Sequence, residues 1–131
     1  MNIVRNNFEF IYSTDCDLSP PKIDVNMITV EVGNLGVTSG HPLSKGKELL
    51  MITKCTMRFK GVLLSERVVH EYKGEPSSDD GFKDSYLVSD IQETEGEGHM
   101  YEFEGVIQNP LAWVDWKIKA KSFELAVAET S

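Results

Sequence analysis

Acidic side chains are concentrated in one short part of this chain, between positions 75 and 104. The ten acids there are Glu75, Asp79, Asp80, Asp84, Asp90, Glu93, Glu95, Glu97, Glu102 and Glu104, and Lys83 is the one base among them, so the segment has a formal charge of −9. The remainder of the 131 residues holds eleven acids and twelve bases, a net charge of +1. Because a focused patch of one sign attracts molecules of the opposite sign, these residues suggest electrostatic binding of a cationic partner.

Carboxylates also serve as general acids and bases, but so many are present here that their number does not identify a catalytic pair. With ten acids in thirty residues, some pair will lie at the separation found in glycosidases by chance. No nucleophile motif accompanies them, since Ser89 and Ser77 lack a GxSxG context and neither cysteine has a neighbouring histidine. No Gly-rich phosphate-binding loop is present either. We therefore predict no catalytic residues and a protein that is not an enzyme.

Metal and cofactor sites are not predicted. His41, His70 and His99 lie about thirty residues apart, without the HxH or HExxH spacing of transition-metal sites. The stretches Asp79-Asp80-Gly81 and Asp15-Cys16-Asp17 resemble fragments of a calcium loop but lack the EF-hand spacing.

Alternation of apolar and polar residues predicts β-strands along most of the chain. In YEFEGVI, for example, Tyr101 and Phe103 face one way while Glu102 and Glu104 face the other, on the outer side of a sheet. The pattern favours a single all-β domain over residues 1–131, an antiparallel β-sandwich or partly open barrel of about six to eight strands. At most one short helix is expected, in LSKGKELL.

Several local features follow from turn residues and changes of face. SYLVSDIQ and HMYEFEGVIQ are expected to pair as a hairpin through ETEGEG, which would place the acids at one edge of the sheet. GNLGVTSGHPLSKGK is predicted to be a long loop, and Gly61 marks either a hairpin turn or a bulge in one long bent strand. A further β-bulge is predicted near Lys121-Ser122, where the apolar positions switch parity.

The remaining composition is that of a soluble globular protein. The chain is 40% hydrophobic, without a run of apolar residues long enough to span a bilayer or to act as a secretory signal. Cys16 and Cys55 give no disulfide framework and are interpreted as structural thiols in a reducing compartment. We therefore expect a cytoplasmic protein with no membrane partner.

Two tryptophans stand near the end of the chain. Trp116 belongs to the apolar face of its strand and is predicted to be core. Trp113 lies on the other face, where it would be an interface anchor or a stacking platform for a sugar, or alternatively a plug that closes the end of the sandwich.

An acidic β-domain of this size, without a catalytic motif and with a concentrated negative surface, resembles as a class the immunity proteins of bacterial polymorphic and contact-dependent toxin systems. The resemblance implies a stoichiometric inhibitor that covers the active site of a basic toxin, often a nuclease. The partner-binding residues it implies are Asp79, Asp80, Asp84, Glu93, Glu95, Glu97, Glu102 and Glu104, with Trp113 as an anchor. Nucleic acid is disfavoured as a ligand because its phosphates would be repelled.

Two other interpretations fit the same residues. The acids could simply be a solvated loop, with outward glutamates that prevent edge-to-edge pairing of strands. The domain could instead be a binding or structural module that recognises carbohydrate, or forms part of a larger assembly, through Trp113 and the GNLGVTSGHPL loop. The sequence does not indicate an oligomeric state.

Overall fold

The computed structural model describes residues 2–14, 16–72, 82–108 and 111–127, and the side chains of residues 72 and 82–84 fall outside the description. Most of the described chain is β-structure, as predicted. The strands are β1 (Asn2–Arg5), β2 (Ile11–Tyr12), β3 (Asp17–Leu18), β4 (Lys22–Asp24), β5 (Met27–Thr38), β6 (Leu49–Tyr72), β7 (Phe82–Ile91), β8 (His99–Gln108) and β9 (Leu111–Val127). The helical residues in the described part form two short 3₁₀ turns, Phe8–Phe10 and Pro42–Ser44.

The strands pair in the order β1-β9-β8-β3-β5-β6-β7, and β9 also pairs with β6. Strands β5, β6, β9, β8 and β3 therefore form a closed ring, so of the two architectures considered the barrel is the one adopted. The ring closes at its narrowest point through Asp17, which pairs with Gly33 of β5 and Val106 of β8. The β3–β8 pairing is parallel, whereas the other pairings in the described part are antiparallel.

Strand β6 is one continuous 24-residue strand, which decides between the two expectations for Gly61. Gly61 has φ of 64°, and a Cβ atom there would lie 2.8 Å from the side chain of Lys121. A residue with a side chain would be strained in this conformation and crowded against β9. The bend changes which residues face the core, from Phe59 before Gly61 to Val62 after it.

Strand β9 changes face where the sequence predicts, because Ile118 and Ala120 are buried before residue 121 and Phe123 and Leu125 after it. The expected bulge in β9 is not there, however. The register shift between the two strands lies in β6, between Val62 and Leu64. Both strands change face together at the level of Gly61, so β9 needs no extra residue of its own.

The core contains a cluster of aromatic rings. Phe59 and Phe103 stack with their centroids 5.6 Å apart, and Phe8 from the first 3₁₀ turn makes edge contacts with Tyr101 and Phe123. Such contacts add to the burial of large apolar side chains. The inward orientation predicted for Tyr101 and Phe103 is confirmed.

Two expectations about connections were wrong. β7 and β8 do not form a hairpin, since β7 pairs with β6 and β8 pairs with β9. Alternation identifies a strand but not its partner, and residues 92–98 pass beside Leu63, in the middle of β6, before β8 begins. Residues 33–38 of the expected long loop continue β5, where Leu35 and Val37 are fully buried. The glycines there accompany a change of face at Asn34, which has φ of 55°.

Both cysteines are free and buried, and burial raises the pKa of each thiol to about 12. At a pH of about 8 only roughly one thiol in ten thousand would then be ionised. We therefore expect 5,5′-dithiobis(2-nitrobenzoate) to release no thiol signal from the native protein and the signal of both cysteines after unfolding in urea. Rapid release of one equivalent under native conditions would contradict the burial of that thiol.

Candidate functional site

Four carboxylates lie together on the outer side of three neighbouring strands. Glu66 is on β6, Asp115 on β9, and Glu102 and Glu104 on β8, and we call these four residues the acidic face. Glu104 is directly opposite Asp115, and Lys117 stands between Glu102 and Glu66 in the ladder. Residues that face each other across neighbouring strands have Cβ atoms roughly 5 Å apart, so the four carboxylates form one patch.

The acidic face is concave. It forms part of a cleft of about 640 Å³, closed on one side by residues 11–14. Thr14 Oγ1 donates a hydrogen bond of 3.1 Å to Glu104 Oε1, and the Glu104 backbone N–H donates one of 3.2 Å to Ser13 Oγ. Glu104 is thus held in place by its neighbours, whereas Glu102 is exposed to solvent.

The acidic face carries more negative charge than its neighbours compensate. Within the part of the chain that the structure describes, no ion pair within 4 Å involves Glu66, Glu102 or Glu104. Lys117 stands between Glu102 and Glu66, and Lys119 follows it on the same face of β9, so two lysines neighbour the four carboxylates on these strands. By contrast, Glu124 contacts three cations elsewhere in the barrel. The acidic face is therefore available to an external cation.

A chain of polar side chains borders the acidic face. His70 Nδ1 lies 2.8 Å from Ser85 Oγ, and His70 Nε2 lies 2.9 Å from Asp115 Oδ2. These are the residue types of a hydrolase triad, but Ser85 and Asp115 lie exposed on the open surface of a sheet, where water is not excluded. We therefore interpret His70 as a side chain that positions Asp115.

Trp113 lies beside these polar side chains on the outer surface of the sheet, opposite His70 in the ladder. It is half-buried, and its indole N–H donates a hydrogen bond of 3.3 Å to Asp115 Oδ1. Trp116, in contrast, is only 2% exposed and belongs to the core, as predicted. The location of Trp113 suits an interface anchor that is oriented by a residue of the acidic face.

Three of the expected partner-binding glutamates lie on the connection between β7 and β8. Glu93, Glu95 and Glu97 are all exposed. The connection is tied to β6 by a backbone hydrogen bond of 2.8 Å from Thr94 N–H to Leu63 O, and Gly96, with φ of 151°, packs against the Leu63 side chain. Leu63 is three residues from Glu66 on the same strand, and Lys119 of β9 pairs with Leu64 between them, so these glutamates lie beside the acidic face but are separated from it by a lysine.

The three remaining residues that were expected to bind a partner cannot be assigned to the acidic face. Asp79 and Asp80 lie outside the described residues, and the side chain of Asp84 does also, although its backbone pairs with Glu71. The predicted acidic edge, built from a β7–β8 hairpin, is therefore replaced by a face on β6, β9 and β8. Sequence reasoning missed Glu66 and Asp115, because only the strand register brings them beside Glu102 and Glu104.

Comparison with protein-family models, curated proteins and solved structures gave no match. Any function must therefore be inferred from this chain's own residues. In the described ranges, no group of three or more histidine, cysteine, aspartate or glutamate side chains could hold a metal ion. No helix in those ranges has the length and apolar character needed to cross a membrane.

Proposed function

We propose that this domain is a non-catalytic binding protein whose acidic face docks a basic protein. The observation that supports this proposal is the set of carboxylates of Glu66, Glu102 and Glu104, which share one concave face and lack ion-pair partners in the described chain. Like charges held together in this way repel one another, so their retention is explained if a cationic partner neutralises them.

The strands make the acidic face suitable for fast and selective association. Its carboxylates project from the strands of a closed barrel, so little backbone freedom would be lost when a partner binds. A focused negative patch raises the rate of encounter with basic partners by roughly ten to a thousandfold and repels acidic ones, including nucleic acids. Trp113, which is half-buried beside Asp115, is the type of residue that contributes most to interface affinity.

We propose more specifically that the partner is a basic toxin and that the domain is its inhibitor, of the kind represented by immunity proteins of bacterial polymorphic and contact-dependent toxin systems. The acidic face would cover the active site of the toxin, and in a nuclease its carboxylates would occupy the positions of substrate phosphates. Such a role requires no cofactor, and it places the protein in the cytoplasm, where the toxin acts. Of the loop expected for the carbohydrate-binding alternative, residues 33–38 belong to β5.

The test is a pair of charge-reversal variants with the same change in net charge. The first, Glu66→Lys/Glu102→Lys/Glu104→Lys, reverses the acidic face. The control, Glu9→Lys/Asp24→Lys/Glu48→Lys, reverses three exposed acids on other parts of the molecule. Each protein is immobilised and incubated at low salt with lysate of the source cell. The retained proteins are identified by mass spectrometry, and their affinity for each variant is measured by titration.

We expect the wild type and the control variant to retain the same basic protein, and the acidic-face variant to bind it at least about a hundredfold more weakly, since several charge contacts are reversed. Affinity should fall as salt is added, because exposed charges are screened. Equal retention by the two variants would contradict docking at the acidic face, as would a wild type that retains no basic protein. Circular dichroism of both variants verifies that they are folded.

A further inference from the structure

We propose that the barrel has a second binding site, on the inner side of β6 and β7, for an uncharged small molecule with an apolar body. The site is a cleft of about 850 Å³, which we call the inner cleft. One wall is the inner face of β6 and β7, and the other is formed by residues 17–21 with the adjoining part of β5. Its volume lies within the range of roughly 300–1,000 Å³ that is typical of ligand pockets.

The inner cleft is lined mainly by apolar side chains. Val69 and Tyr86 face each other across β6 and β7, Val88 follows on β7, and Leu18 and Ile107 lie on the other strands of the lining. Tyr86 is 42% exposed although it shares the inward side with the buried Val69. The described chain thus leaves apolar surface open within a concavity, where a ligand would remove it from water.

One polar group at this site is rigidly held. The Arg67 guanidinium lines the cleft and lies over the Trp116 ring, with 5.1 Å between Cζ and the ring centroid. Arg67 Nη2 and Nε donate hydrogen bonds of 2.8 and 3.0 Å to the two carboxylate oxygens of Asp90. Ser65 Oγ also donates to Asp90 and accepts a hydrogen bond from the Trp116 indole N–H. The Arg67 guanidinium is therefore held between the Asp90 carboxylate and the Trp116 ring, and it is preorganised to donate a hydrogen bond to a ligand.

A β-bulge in β7 produces this arrangement. Ser65 pairs with Ile91 and the next residue, Glu66, pairs with Ser89, so Asp90 is an extra residue in β7. The bulge turns the Asp90 carboxylate to the inner side, where its side chain is only 4% exposed. Bulges that redirect a side chain in this way are frequent beside functional sites.

The charges around the inner cleft indicate the class of ligand. Arg67 and Lys54 supply two positive charges to its lining, and Asp17 and Glu31 supply two negative charges. The charge of Arg67 is in addition neutralised by Asp90 behind it. A ligand anion would therefore lose its hydration without finding a net positive site, whereas an uncharged molecule loses little. The ligand class is an uncharged, largely apolar molecule with a hydrogen-bond acceptor that reaches Arg67.

The experiment uses N-phenyl-1-naphthylamine, an uncharged apolar dye that fluoresces in apolar surroundings, with the full chain. Its anionic relative 1-anilinonaphthalene-8-sulfonate is the matched comparison. In a Trp113→Phe background Trp116 is the sole tryptophan of the chain, so energy transfer from it to the dye reports that the dye is bound to the barrel. We expect saturable binding of the uncharged dye with energy transfer, and weaker binding of the sulfonate.

Substitutions on opposite sides of β7 locate the site. Val88→Glu and Tyr86→Glu place a charge in the inner cleft and should weaken dye binding at least about tenfold, because a carboxylate would be desolvated there. Leu87→Glu alters the neighbouring, 61% exposed residue on the other face and should bind as the wild type does. If Val88→Glu fails to fold, Tyr86→Glu decides the outcome, since Tyr86 is already partly exposed.

Three results would overturn the inference: no saturable binding by the wild type, equal binding by the wild type and the cleft variants, or tighter binding of the sulfonate than of the uncharged dye. None of these measurements involves the protein partner. The inner cleft and the acidic face can therefore be supported or rejected separately.

Discussion

Replacement of Asp90 with alanine is expected to lower the free energy of unfolding by about 3–5 kcal/mol. The substitution leaves the Arg67 guanidinium, whose side chain is 17% exposed, without its bidentate carboxylate. An uncompensated buried charge costs more than the pair contributed, and Ser65 loses its hydrogen-bond acceptor as well. Urea unfolding followed by tryptophan fluorescence measures the change.

The matched control removes the charge together with its partner. Arg67→Met/Asp90→Ala leaves no buried cation, so the double variant should be more stable than Asp90→Ala alone. Ser89→Ala, at an exposed position next to Asp90, should change stability by less than about 0.5 kcal/mol. A loss below about 1 kcal/mol for Asp90→Ala would show that Arg67 does not depend on this carboxylate.

Glu124→Gln is expected to cost about 1–3 kcal/mol at neutral pH, less than the Asp90 substitution because its cationic partners are more exposed. The Glu124 carboxylate is 6% exposed and lies 3.2 Å from Lys60 Nζ, 3.4 Å from Arg58 Nη1 and 3.8 Å from Arg5 Nε. The glutamine would leave these cations near one another without a negative charge between them. Glu48→Gln, at an exposed site, is the control and should be close to neutral.

The effect of Glu124 should depend on pH in a defined direction. Burial by itself raises the pKa of the carboxyl group, but the hydrogen bonds and charges of Lys60 and Arg58 outweigh it and hold the pKa below its ordinary value of 4.5. The folded state therefore binds this proton less readily than the unfolded state. The stabilisation is fully present above about pH 4.5 and is lost as the pH falls through the folded pKa. The difference between wild type and Glu124→Gln should thus shrink on acidification, and a difference that grows would contradict the assignment.

Alternation was sufficient to determine which side chains of β8 face the core and which face water. Tyr101 and Phe103 point inward and Glu102 and Glu104 outward, because successive Cβ atoms of a strand lie on opposite sides of the sheet. The change of face in β9 was visible for the same reason, as was the all-β class. Each of these is a property of a strand by itself, so local sequence carries it.

Only the tertiary structure decided which strands are neighbours. The sequence could not show that β8 pairs with β9 and not with β7, because the alternation of a strand is the same beside any partner. For that reason it could not place Glu66 and Asp115 next to Glu102 and Glu104, nor show that a bulge turns Asp90 away from the other acids towards Arg67. Charge and face are local properties of the chain, whereas a binding surface on this barrel is assembled by hydrogen-bond register between residues distant in sequence.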